Sequence, residues 1–226
     1  MDDMNVMIVL KQGAIGQRQP KQAIVRHPRS SEHSSGHPQL NPDLPSIRPQ
    51  LSNMNHQIPS QTCPDDFRTH VFEKTFDVSC HWELAWNWLM QPETFTKGQI
   101  WPYRVEFIDT PQPGGEISRG FQVGTLNSHH GPFMNFCGVI ARVDVQGERA
   151  TRDLQYTYGA HALAFRLIRP DLLRLSTLAN GPEQCLVTVR VESYVRPWIA
   201  WLWTLAQKCF WPGFGISLRR ACRANR

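Results

Sequence analysis

All 23 phenylalanines, tyrosines and tryptophans of this 226-residue chain lie at or after Phe67. That asymmetry limits what the chain can fold into more than any motif does. Aromatic side chains supply the largest single burials in a core. A segment without them has little to set against the entropy of ordering. The stretch before Phe67 also holds eight of the 17 prolines, with many Ser, Gln, Asn and His. Residues 1–65 are therefore expected to form a disordered tail, and residues 66–226 one domain of ordinary size.

The formal net charge is +5. So small and diffuse an excess, without a basic stripe, zinc-finger spacing or base-stacking motif, argues against a nucleic-acid partner. The six cysteines (Cys63, Cys80, Cys137, Cys185, Cys209 and Cys222) form no C-x-x-C pair. At the start, Asp2 and Asp3 stand where a signal peptide carries Lys or Arg. Reduced thiols and a cytoplasmic location are the expectation. The chain has no Gly-rich phosphate loop, no Gly-x-Ser-x-Gly, and no His/Cys/Asp/Glu cluster with metal spacing. Neither a metal nor a cofactor is expected, and no catalytic residue can be named.

Within the domain, periodicity changes from element to element. His70 to Val78 alternates as a strand. Cys80 to Met90 reads as a helix, because Trp82, Ala85, Trp86 and Leu89 fall at i, i+3, i+4 and i+7; Ser79 is the candidate cap. Pro92 to Lys97 suits a second, short helix with proline near its start. Period-two runs follow around Tyr103–Phe107, Phe121–Thr125, Val139–Val145, Leu154–Tyr158, Leu163–Leu167, Leu173–Leu175 and Val187–Val191. His129, His130, Gly131 and Pro132 read as a turn, and short turns favour an antiparallel meander. The chain ends on a helix over Trp198–Phe210, interrupted by Pro212 and Gly213. The fold class is α+β: a curved antiparallel sheet of six to seven strands around a C-terminal helix, with two short helices after the first strand.

The element order, the segment Phe76-Asp77-Val78-Ser79-Cys80-His81-Trp82-Glu83-Leu84-Ala85-Trp86 and the segment Gly120-Phe121-Gln122-Val123-Gly124-Thr125 resemble the SRPBCC superfamily. That superfamily includes START lipid-transfer domains, the birch-pollen-allergen family and the polyketide cyclase/dehydrase family. The resemblance spans about Phe67 to Cys222. It implies a helix-grip fold with an internal pocket for lipids, sterols, polyketides or other apolar ligands. The superfamily has no universal catalytic signature, so it implies no catalytic residue here. Non-catalytic binding or transport of a hydrophobic small molecule is the leading expectation. A cyclase- or dehydratase-like enzyme on the same fold is the alternative, and so is a membrane or partner module with a filled core.

Alternation assigns the inward set. The candidate ligand-binding residues are Tyr103, Val105, Phe107, Phe121, Val123, Ala141, Val143, Tyr156, Tyr158, Phe165, Leu175, Val187 and Val189. The buried phenols Tyr156 and Tyr158 are the candidates for orienting a polar group of the ligand. A second candidate surface lies at the C-terminus. The final helix is apolar over more than one stripe, and basic residues follow it. Trp203, Phe210, Trp211, Arg219, Arg220 and Arg223 are therefore candidates for contact with an anionic membrane or a second copy of the chain. Gln207, Lys208 and Pro212 interrupt the apolar run, so peripheral contact rather than spanning is expected.

Overall fold

A computed structural model describes residues 61–97, 104–157, 159–163 and 165–224. Most of the expected tail (residues 1–60), together with Tyr103 and Tyr158, lies outside the described residues. Gln61 is buried, and its Nε2 donates to the Pro170 carbonyl at 2.5 Å. Contacts of the domain thus reach back before residue 66.

The chain opens with β1 (Arg68–Val78), α1 (Trp82–Leu89) and α2 (Pro92–Thr96). The strands β2 (Arg104–Ile108), β3 (Thr110–Pro111), β4 (Ile117–Ser118), β5 (Leu126–Gly131), β6 (Met134–Gln146) and β7 (Arg149–Tyr156) follow. Then come β8 (His161–Ala162), β9 (Ile168–Ala179), β10 (Cys185–Val195), a single 3-10 turn at Pro197–Ile199 and α3 (Ala200–Ala224). All pairings are antiparallel, in the order β1-β10-β9-β7-β6-β5-β2, and β8 bridges β6 and β9. A small hairpin of β3 and β4 stands apart from this sheet. The first and last long strands therefore pair, Phe72 opposite Val191 and Phe76 opposite Val187, and β7 runs near the middle.

The helices cover one face of the sheet. In α1 the expected stripe Trp82, Ala85, Trp86 and Leu89 is the buried face. His81 occupies the N-cap position without a side-chain cap bond, so Ser79 does not serve as the cap. In α3 the buried stripe is Gln207, Trp211, Gly215, Leu218 and Cys222. Gly215 is required there: a Cβ at this position would lie 2.5 Å from the Phe76 ring. This is the helix-grip α+β fold. Its inner face is shared by α3 at the β1 edge, α1 over β9 and β10, and α2 near β2.

Four readings of the sequence are corrected. First, α3 runs unbroken through Pro212 and Gly213. The lost backbone bond lies on the exposed side of the helix, at Pro212 and Lys208, where it is open to solvent. Second, His129 and His130 belong to β5, not to a turn. Third, Phe121–Thr125 and Leu163–Leu167 are turns. Leu163 and Arg166 adopt φ of 66° and 53°, which no strand allows. Fourth, a bulge between Ile140 and Arg142 shifts the phase of β6. Phe136, Gly138 and Ile140 face inward before it and Val143 after it, so Ala141 is exposed, and Val145 shares the side of Val143 opposite Ala150 but is exposed.

Candidate functional site

The inner face holds two buried clusters. One joins β1, β9, β10, α1 and α3 around Phe76, Leu89, Leu175, Val187, Val189 and Leu218. It is apolar but for Gln207, which accepts from Trp211, and Thr177 opposite Val187, whose buried Oγ1 has no partner. The other joins β6, β7 and the turn before β5 around Phe121, Phe136, Ile140, Leu154 and Tyr156. A cavity opens beside this second cluster, between the sheet and α2. It is lined by Phe95, Val105, Phe121, Asn127, His129, Arg152, Leu154 and Leu173. Its free volume is about 20 Å³, room for about one water molecule.

Arg152 dominates the cavity. Along β7 side chains alternate, so Ala150, Arg152, Leu154 and Tyr156 face inward and Asp153 faces out. The Arg152 residue is only 4% exposed. Its Nη1 donates to the Leu89 carbonyl at the end of α1, at 2.5 Å, and lies 3.8 Å from Met90 Sδ. The guanidinium stacks on Phe121 at 3.5 Å from the ring centroid and lies 5.4 Å from that of Phe95. Among the described residues no carboxylate pairs with it. The adjacent acid, Asp153, points to the outer face, where Arg174 holds it by two bonds of 2.7 Å. Burial lowers the Arg152 pKa to about 9, countered in part by Tyr156; the group stays charged at neutral pH. Burying an unpaired charge costs several kcal/mol. One charge-assisted bond and a desolvated cation–π contact, at about 2 kcal/mol each, offset only part of that.

The groups around Arg152 are neutral. Burial first, then the charges of His130 and Arg152, lowers the half-buried His129 to a pKa of about 4. The same burial raises the phenol of Tyr156, with Arg152 opposing it. Phe136 and His129 flank Tyr156, with ring centroids 5.6 and 6.2 Å away. Asn127 is buried and its Oδ1 has no partner, as is Thr125 Oγ1 two residues before it. His130 points the other way, its Nε2 3.3 Å from Glu106 Oε2.

The expected ligand residues divide accordingly. Val105 and Phe121 line the cavity. Phe107 packs on Phe121 edge-to-face at 4.7 Å, while Tyr156 and Val143 lie in or against the same cluster. Leu175, Val187 and Val189 are buried, but in the apolar cluster under α1 and α3. Val123 is 51% exposed and Phe165 83% exposed, because both sit in turns. Periodicity missed Arg152, Asn127, His129 and Phe95. Arg152 has the same parity as Leu154 and Tyr156, and that was the available signal.

At the C-terminus, Trp211 is buried; its Nε1 donates to Gln207 Oε1 at 2.5 Å and its ring packs on Phe214. It serves the grip and is not free for an external partner. Trp203 is half-buried against the second cluster. Phe210, at 63%, is exposed, as are Trp198, Trp201, Leu202, Leu205 and Ile216. Arg219, Arg220 and Arg223 are exposed too, and Arg219 Nε donates to the Asp77 carbonyl at 3.2 Å.

No family model and no curated protein matches the chain. Solved structures do. Norcoclaurine synthase from Thalictrum flavum, in complex with dopamine and hydroxybenzaldehyde, is similar over 71% of this chain and 90% of its own, at 12% identity and a TM-score of 0.49. Human STARD10 is similar over 72% and 67%, at 14% identity and a TM-score of 0.49. Ara h 8.0201 is similar over 70% and 99%, at 13% identity and a TM-score of 0.43. The likeness is one of fold alone.

Proposed function

We propose that this chain binds an apolar small molecule between the sheet and α2, without transforming it. The observation that carries this reading is the cavity itself: apolar and aromatic walls with a few convergent polar groups. Among the described residues it presents no hydrogen-bonded nucleophile–base pair, which favours binding over catalysis. Its present volume admits little more than water, so a ligand must displace one wall. α2 is the weakest wall, with five residues, none fully buried, and no side-chain cap bond. A naphthalene probe is expected to bind with about micromolar affinity, near −8 kcal/mol. Solvent extraction of purified protein followed by mass spectrometry should recover an apolar compound. Neither probe binding nor a co-purifying compound would leave the cavity as a packing defect.

A second surface supports a second reading, compatible with the first. α3 exposes Trp201, Leu202, Leu205 and Ile216, the turn before it exposes Trp198, and Arg219, Arg220 and Arg223 follow near its end. Among the described residues no helix is long and apolar enough to cross a membrane. Indole rings at headgroup level and arginines beside anionic lipid suit peripheral docking on an anionic bilayer.

A further inference from the structure

We propose that the ligand of this cavity carries a carboxylate, and that Arg152 receives it. The proposal rests on the cavity being a ligand site, and names the chemical class that site takes. A guanidinium offers five N–H donors in a planar fork. Only Nη1 of Arg152 has acceptors among the described residues, the Leu89 carbonyl and Met90 Sδ. The edge formed by Nε and Nη2 has none, on a side chain that is almost fully buried and lines the cavity. That edge matches the two oxygens of a carboxylate.

The surroundings exclude the other signs of charge. An ammonium ligand would meet a fixed buried cation with no acid to offset it. A neutral ligand would leave the guanidinium uncompensated. His129, which lines the cavity, is neutral and can donate from one ring nitrogen. Asn127 is buried in the same wall with its amide oxygen unpartnered, and its amide can be read in either orientation. The polar end of the cavity is thus rich in donors and holds one positive charge, and Phe95, Phe121, Leu154 and Leu173 supply an apolar wall for the rest of the molecule. The free volume of about 20 Å³ favours a flat carboxylate replacing a water over a bulkier tetrahedral phosphate.

Three probes with one ring system test this: 2-naphthoate, 2-naphthalenemethanol and 2-naphthyl phosphate, each titrated calorimetrically at neutral pH. The carboxylate should bind at least tenfold tighter than both others. Arg152→Gln should erase that preference, bringing the affinities of the acid and the alcohol to within about twofold of each other. Should that variant fail to fold, carboxyl-labelled naphthoate on the parent protein gives an independent reading. Its carbon resonance should show the bound acid still ionised at a pH where the free acid has taken its proton. Equal binding of acid and alcohol would overturn the proposal and leave the apolar site standing. Tightest binding of the phosphate would replace the carboxylate with a phosphate headgroup. No binding of any probe would remove the ligand site as well.

Discussion

The two halves of the buried layer face the same sheet yet are built on opposite rules. Under α1 and α3 the packing is full and, but for Gln207 and Thr177, apolar. Leu89, Leu175, Val187, Val189 and Leu218 are all at 1% exposure or less, and α3 comes so close to β1 that only glycine fits at position 215. Beside α2 the layer encloses a charge, two unpartnered polar atoms and a void. Stability alone explains the first half, where every contact adds burial. It does not explain the second, where an apolar residue at position 152 would cost less. Features that lower stability and persist in a fold point to function.

The contrast predicts opposite signs for two truncations. Leu89→Ala in the full half should destabilise by about 2–5 kcal/mol, because its neighbours cannot collapse onto the gap. Arg152→Met in the other half should stabilise. Removing an unpaired buried charge recovers several kcal/mol, while the Leu89 carbonyl loses its donor at a cost of about 1–3 kcal/mol, for a net gain of about 1–2 kcal/mol. Urea unfolding of both variants checks this. Destabilisation of Arg152→Met by as much as Leu89→Ala would mean that the two halves do not differ in the way described.

The antiparallel sheet and the full half were legible in the sequence because burial there follows simple periods. Val187, Val189 and Val191 keep a period of two without interruption, Phe72, Phe76 and Val78 keep it but for Lys74, and the α1 stripe keeps 3.6. The site was less legible for three physical reasons. The inward residues of β5, Asn127 and His129, are polar, so the strand has no hydrophobic alternation and reads as a loop. The β6 bulge shifts one phase by a residue, which turned Ala141 from an inward candidate into an exposed one. Arg152 has the inward parity of β7, but a charged residue is ordinarily assigned to the solvent face.

Histidine 129 sharpens the comparison through pH. Its native pKa of about 4 lies below the 6.5 expected when unfolded, chiefly through burial, then through His130 and Arg152. Above about pH 6.5 neither state holds the extra proton, and stability is at its full value. Between 6.5 and 4 the unfolded chain binds a proton that the native state refuses, so stability falls with pH. Below about 4 this contribution is exhausted. The loss is at most about 3 kcal/mol. Chemical denaturation from pH 7.5 to 4.5 should show the slope, and His129→Gln should flatten it. An unchanged slope would place the acid sensitivity in the full half, or elsewhere in the chain.

The smallest expected effect lies outside both halves, on the outer side of α3. Gln207, Trp211, Gly215, Leu218 and Cys222 face the domain. At 100° per residue, Leu205, Ile216, Arg220 and Arg223 fall on the opposite side, and Trp201 and Arg219 on the flank beside them. Trp201 is 67% exposed. This helix thus joins an apolar stripe to a basic end on one surface, an arrangement that suits the interface of an anionic bilayer. Each arginine near such a surface contributes about 1 kcal/mol, or roughly fivefold in partitioning. Co-sedimentation at low salt should be stronger with phosphatidylserine-containing vesicles than with pure phosphatidylcholine, and weaker at high salt. Changing Arg219, Arg220 and Arg223 together to Gln should abolish the preference, with naphthoate binding in the cavity unchanged. Trp201→Ser should weaken binding to both vesicle types, because the indole acts through the interface and not through charge. Equal partition of the parent onto both vesicle types, or none onto either, would show that the basic end is no membrane contact.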